Sequence, residues 1–127
     1  MERFLWVCLG GALGTGLRFL VSEGAQRAFG PTWPWGTLAV NVVGCLLMGA
    51  LMHAALHSSS VTPMLRAALG TGFLGGLTTY SAFDWEATAM VRAGAHARAA
   101  LYLGVTVALC FMAGLMGIWL ARRFVGG

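Results

Sequence analysis

Four stretches of the chain are apolar for long enough to cross a bilayer core, which takes about 20 residues in a helix. They cover roughly 4–21, 35–56, 64–90 and 97–121. The segments between them are short and carry breakers. "SEGAQRAFGPTWP" holds Gly30, Pro31 and Pro34 and ends a helix ahead of the second stretch. "HSSSVTP" separates the second from the third, and "RAGAHAR" the third from the fourth. This pattern predicts an all-α membrane protein: a single transmembrane domain over 1–127, with four transmembrane helices and no residues left for a soluble domain. Trp6, Trp33, Trp35 and Trp119 fall near span ends, as interfacial anchors do. The opening "MERFLWVCLGGALGTGLRF" has the outline of a signal peptide. Its one early arginine is offset by Glu2, Arg18 interrupts the apolar run and no A-x-A-like site follows, so it is expected to stay as the first span.

The third stretch departs from the pattern. It is longer than the hydrocarbon is thick, and it carries Gly70, Gly72, Gly75 and Gly76, followed by Thr78, Thr79 and Ser81. Each glycine lowers helix propensity by about 1 kcal/mol. One reading is two half-helices joined by an unwound turn near 75–79. Lipid cannot satisfy the backbone groups such a turn frees, so it survives only where it is buried in protein or lines a polar cavity. The other reading is an intact helix whose glycines pack closely on a neighbour. Gly10 and Gly14 in the first span, and Gly114 and Gly117 in the fourth, are close-packing signals of the same kind.

Composition agrees with a membrane solvent. Only 9% of residues are charged, 58% are hydrophobic, and all eight basic residues are arginine. Mean hydropathy is +0.78. No basic cluster with interleaved aromatics exists to follow a phosphate backbone, so no nucleic-acid partner is expected. Cys8, Cys45 and Cys110 are odd in number and far apart, which suggests neither a disulfide framework nor a zinc site. Arginine is nearly balanced between the two sides of the membrane. Arg3, Arg66, Arg122 and Arg123 fall on one side, and Arg27, Arg92 and Arg98 on the other, joined by Arg18 if that residue belongs there. The positive-inside rule has little to act on, and insertion in both orientations becomes feasible. Two oppositely inserted copies would pair about an axis in the membrane plane. Four helices leave little room for a pore of their own, so transport calls for an oligomer, and two-fold dimers are the commonest.

The polar positions at membrane depth are few. Thr37, Asn41 and Cys45 recur at i, i+4 spacing on one face of the second span; Tyr102, Thr106 and Cys110 do so on the fourth. Amide and hydroxyl groups donate hydrogen bonds without carrying charge, which suits a small anion. Equally, Asn41 can be an interhelical tie. Tyr80 and Phe83 share a face of the second half of the third stretch, and aromatic edges are positive. Spacing alone reads equally well as core aromatics. Arg18 is placed near the end of the first span, to snorkel or to concentrate anions at a vestibule. Glu86 marks a pore mouth or pairs with an arginine, and His53, His57 and His96 are read as interfacial.

With these residues in view, "PWGTLAVNVVG" (Pro34–Gly44) and "GFLGGLTTYSAF" (Gly72–Phe83) closely resemble the two signature stretches of the CrcB/Fluc fluoride channels. "GGALGTGLRF" (Gly10–Phe19) resembles the family's first-helix motif, and the likeness covers nearly the whole chain. The resemblance implies a fluoride-selective channel that releases cytoplasmic fluoride passively through an antiparallel, dual-topology homodimer with two pores in the inner (plasma) membrane. It implies a fluoride path lined by Asn41, Tyr80, Phe83, Thr37, Tyr102, Thr106 and Ser81, with Arg18 and Glu86 at the vestibule. It also implies a structural Na⁺ on the dimer axis, held by the backbone carbonyls of Gly75 and Thr78. Two departures are Tyr80, where the family usually has phenylalanine, and Cys110, where some members carry serine.

The main rival is a small multidrug-resistance-type antiporter, which exchanges protons for a cationic drug on a mid-membrane carboxylate of its first span. Glu2 and Glu23 only flank that span here. A membrane enzyme lacks support from any nucleophile–base pair or metal cluster. A purely structural subunit leaves the third stretch unexplained.

Overall fold

The computed structural model describes residues 1–126, which form helices and no strand. Helix α1 is Glu2–Phe29, α2 is Trp35–His57, and the last helix, α5, is His96–Val125. All three are long and apolar enough to cross a membrane. The segment between α2 and α5 is in pieces. Its first part, α3, joins an α-helical turn at Pro63–Arg66, a π-helical stretch at Ala67–Leu74 and a last turn at Gly75–Leu77. Thr78 and Thr79 are extended, and helix α4 then runs from Tyr80 to Arg92.

Sequence signals account for most of the ends. Thr62 caps α3 by accepting from Leu65 N–H at 3.1 Å, with Pro63 at the first helical position, where its missing N–H costs nothing. Gly30 (φ 79°) and Gly94 (φ 76°) take the left-handed backbone that turns the chain after α1 and α4. Helix α1 continues eight residues past the expected boundary at Val21, because the polar extension is helical in its own right. Glu23 and Arg27 close an i, i+4 ion pair at 3.0 Å there.

The helices associate in two side-by-side pairs. In the first, α1 lies on α3, backbone against backbone. A Cβ on Gly10 would meet the Ala68 carbonyl, one on Gly14 the Phe73 carbonyl, and one on Gly76 the Gly11 carbonyl. In the second pair, α2 lies on α5, with Gly49 against the Gly114 carbonyl and Gly117 against that of Leu46. Contacts advance in the same direction along both partners, from Gly10–Ala68 to Gly14–Phe73 in one pair and from Gly114–Cys45 to Gly117–Leu46 in the other, so each pair is parallel. One buried cluster joins Val40, Leu74 and Leu77; a second joins Phe83, Ala87 and Tyr102. Elsewhere burial is inverted relative to a water-soluble fold. Leu13 and Phe111 are each 69% exposed, while glycine, alanine and threonine fill the contacts. Lipid solvates large apolar side chains, so packing selects small residues that let backbones approach.

Candidate functional site

The site begins where α3 stops. A break in a membrane helix strands backbone groups, and each must find a partner or lie open to a polar cavity. Thr79 N–H, which would return to the Gly75 carbonyl in a continuous helix, donates instead to Asn41 Oδ1 at 2.8 Å. Asn41 Nδ2 donates back to the Thr79 carbonyl at 3.0 Å. The buried Asn41 amide thus replaces a missing strand partner for one residue. The Thr79 hydroxyl caps α4 by accepting from Ala82 N–H at 3.2 Å, the donor that would otherwise return to the Thr78 carbonyl. The Thr78 hydroxyl turns back to the Leu74 carbonyl at 3.0 Å. Arg18 Nε donates to the Gly76 carbonyl at 3.0 Å, and the Thr15 hydroxyl reaches the same oxygen at 3.5 Å. Arg18 therefore lies well inside α1, half-buried, at the negative end of α3. It is neither near a helix end nor free to snorkel, and the arginine balance between the two sides stays at four to three.

Three further carbonyls are freed at the break, those of Gly75, Leu77 and Thr78. Gly75 and Thr78 have both lost their usual i+4 donors, to Asn41 and to the Thr79 hydroxyl respectively. Gly75 is exposed on the surface of the single chain and Thr78 is half-buried. Neutral oxygens left without a proton donor fit a small hard cation, which takes oxygen ligands. The Gly76 carbonyl between them is already taken by Arg18.

Polar side chains of α2 and α5 face each other in rungs about 6 Å apart, the rise of four helical residues. The first rung is closed by a carboxylate. Thr37 Oγ1 donates to Glu86 Oε1 at 2.6 Å, and Tyr102 OH donates to Glu86 Oε2 at 2.7 Å. Glu86 pairs with no arginine. It lines a cavity of about 380 Å³ with Thr37, Trp33, Gln26 and Arg98. Tyr102 is fully buried, its ring edge-on to Phe83 (5.1 Å between centroids) and to Trp33 (5.4 Å). Trp33, in the loop before α2, packs on the Tyr102 ring, and its buried indole N–H has no protein partner.

The second rung, Asn41 and Thr106, opens onto another cavity, of about 330 Å³, together with Thr79, Tyr80 and Phe83. Thr106 Oγ1 is buried with no hydrogen-bond partner. Leaving a hydroxyl in that state costs about 1–3 kcal/mol, a cost that a water or ligand in the adjoining cavity would relieve. Phe83 is 5% exposed and Tyr80 80% exposed, their rings meeting edge to face at 5.8 Å. The Tyr80 hydroxyl does not reach Thr106. Ser81 is exposed and contacts only the Thr79 hydroxyl, at 3.3 Å. The third rung, Cys45 and Cys110, closes the far end of this cavity.

Sequence reasoning missed two parts of the arrangement. Thr79, the residue that Asn41 clasps, was passed over among its hydroxyl neighbours, although a threonine three positions before the Ala82 amide is a cap signal. His53 was read as interfacial. It is buried instead, with Nε2 at 2.9 Å from the Gly126 carbonyl and its ring stacked on His57.

Long apolar helices, inverted burial and a clasped helix break lined with neutral donors define a multi-pass membrane protein. Within that class, residues 5–118 match the family described as CrcB-like protein, Camphor Resistance (CrcB), and the chain belongs to it. Relatives agree over essentially their full length. A protein of Anaeromyxobacter sp. (strain K), named fluoride-specific ion channel FluC, is 50% identical over 126 residues, covering 99% of this chain and all of its own. Proteins of the same name from Anaeromyxobacter dehalogenans (52% over 126 residues, with the same coverage) and Sorangium cellulosum (41% over 127 residues, all of both chains) are similar as well.

Proposed function

We propose that this protein is a fluoride-specific channel that lets fluoride leave the cytoplasm by passive permeation. The observation that carries the reading is the end-to-end identity of half the chain with relatives bearing that name. The geometry supports it: a neutral amide, an unpartnered buried hydroxyl and aromatic edges border one cavity, with no carboxylate among its lining residues. On this reading Asn41, Phe83, Tyr80 and Thr106 line the middle of the path. Thr37, Tyr102 and Glu86 form its next stage toward the vestibule and Ser81 its rim, while Arg18, bound to the Gly76 carbonyl, adds positive potential beside the break. The antiporter reading loses support, because the carboxylate it needs would have to sit in α1, where Arg18 occupies the middle.

Four crossings follow from the pairing. Helices α2 and α5 run parallel, so the segment between them returns through the same thickness and acts as a broken third span. The cavity beside Asn41 is open along one side in a single chain, and a second, inverted copy would close it into a pore. The near balance of arginines permits such an antiparallel, dual-topology homodimer. Gly75 and Thr78 from each copy would then present four carbonyls across the axis to a Na⁺, which would hold the two breaks together electrostatically. The test is efflux from liposomes loaded with potassium fluoride or potassium chloride. Rapid fluoride release with chloride retained is expected. Equal release of both, or proton-coupled movement of organic cations, would overturn the reading.

A further inference from the structure

The third rung has no part in the fluoride reading, and it differs in chemistry from the two above it. Cys45 on α2 and Cys110 on α5 are half-buried and line the same cavity, each one helical turn beyond Asn41 and Thr106. Both are free thiols. They are carried by two helices held in register just beyond them, where Gly49 meets the Gly114 carbonyl. The surrounding lining is apolar or neutral: Met48, Val107, Phe83 and the threonines. No third ligand of the carboxylate or imidazole type joins them, and among the described residues no group of three such side chains exists anywhere.

We infer that Cys45 and Cys110 form a two-coordinate site for a soft, thiophilic divalent ion, Hg²⁺ being the probe, and that its occupation blocks the cavity. Soft thiolate ligands select soft metals. Zinc and cadmium are disfavoured, because zinc sites use four ligands and only two are present. Charge decides among the remaining ions. Binding breaks two S–H bonds, releases two protons to water and forms two S–Hg bonds, with no change of oxidation state. The product is neutral, whereas Ag⁺ or Cu⁺ on two thiolates would leave a net negative charge in a low-dielectric site, which is costly.

The experiment uses the full-length protein in detergent and in liposomes, with Cys8, exposed on α1, removed as Cys8→Ser. After exposure to mercuric chloride and dialysis against excess 2-mercaptoethanol, intact-mass spectrometry should find one mercury retained per chain. Adding Cys45→Ser or Cys110→Ser should abolish retention, because a single thiolate exchanges with the competing thiol. Mercury X-ray absorption should read two sulfur neighbours. Mercury retained equally by either single-thiol variant, or lost from Cys8→Ser protein, would overturn the site. The blocking half rests on the channel reading. Each variant's fluoride efflux is compared with its own rate before mercury, and a severalfold slowing is expected only where both thiols remain. Retained mercury with unchanged efflux would overturn the blocking claim. Absence of efflux before mercury is added would count against the channel reading instead and leave the mass measurement standing.

Discussion

The two helix pairs use similar materials for different ends. Where α1 meets α3, glycines on both sides bring backbones into contact, and the only polar traffic is Arg18 and Thr15 reaching the Gly76 carbonyl. Where α2 meets α5, glycines cluster at one end, and the rest of the seam is a ladder of threonine, asparagine, tyrosine and cysteine beside two cavities. One pair is a fastening; on the proposed reading, the other keeps neutral donors within reach of the fluoride path. Lipid supplies no hydrophobic drive between helices, so the fastening has to come from close backbone approach. The polar ladder can then be given over to function.

The sharpest way to break this contrast is to crowd the fastening. Gly14→Val drives a side chain into the Phe73 carbonyl, whereas Gly16, on the same helix, has open space around it. Gly14→Val should abolish the monodisperse peak on gel filtration, and Gly16→Val should leave it unchanged. Equal behaviour would mean that the α1–α3 contact is looser than described. Next is Asn41→Asp. The carboxylate keeps the acceptor for Thr79 N–H, loses the donor to the Thr79 carbonyl, and adds a charge beside the anion path. At contact distance and an effective dielectric near 20, repulsion costs about 4 kcal/mol, roughly a thousandfold in occupancy. Fluoride flux from folded protein should be nearly lost, and wild-type flux would remove Asn41 from the path.

A smaller effect is expected at the first rung. Glu86→Gln keeps one acceptor oxygen and reverses the other contact, the amide N–H donating to the Thr37 or Tyr102 hydroxyl, so charge-assisted bonds become neutral ones at a cost of about 1 kcal/mol in stability. Thermal unfolding should shift down modestly, and flux should change severalfold. If neither moves, the carboxylate is a bystander. The smallest effect belongs to Tyr80→Phe. The phenol has no partner in the chain and the ring edge is retained, so flux should stay within a few-fold of wild type, while Phe83→Ile, at a buried ring, should cost far more. A dead Tyr80→Phe beside a normal Phe83→Ile would show that the hydroxyl, not the edge, is the working group.

Much of this was legible in the order of residues, because a membrane solvent imposes length and polarity on each span locally. Three spans, the helix end at Gly30 and the weakness of the third stretch could all be read one segment at a time. So could the family, through the stretches around Asn41 and Thr78. The break was expected over 75–79 and falls at Thr78–Thr79. Its exact place depends on where a partner can accept the freed groups, and Asn41 lies 38 positions upstream of Thr79. The same holds for Arg18. Its distance from the chain's start suggested a helix end, but the guanidinium is fixed inside the bundle by a carbonyl 58 residues away. Glu86 was expected at a mouth or beside an arginine; no arginine pairs with it, and two hydroxyls on different helices hold it where it lines a cavity. Local composition determined that this chain would form membrane helices and where they would be weak. Which donor meets which orphaned acceptor was decided only when the two parallel pairs came together, since a hydrogen bond depends on distance in space, and sequence separation carries no information about that.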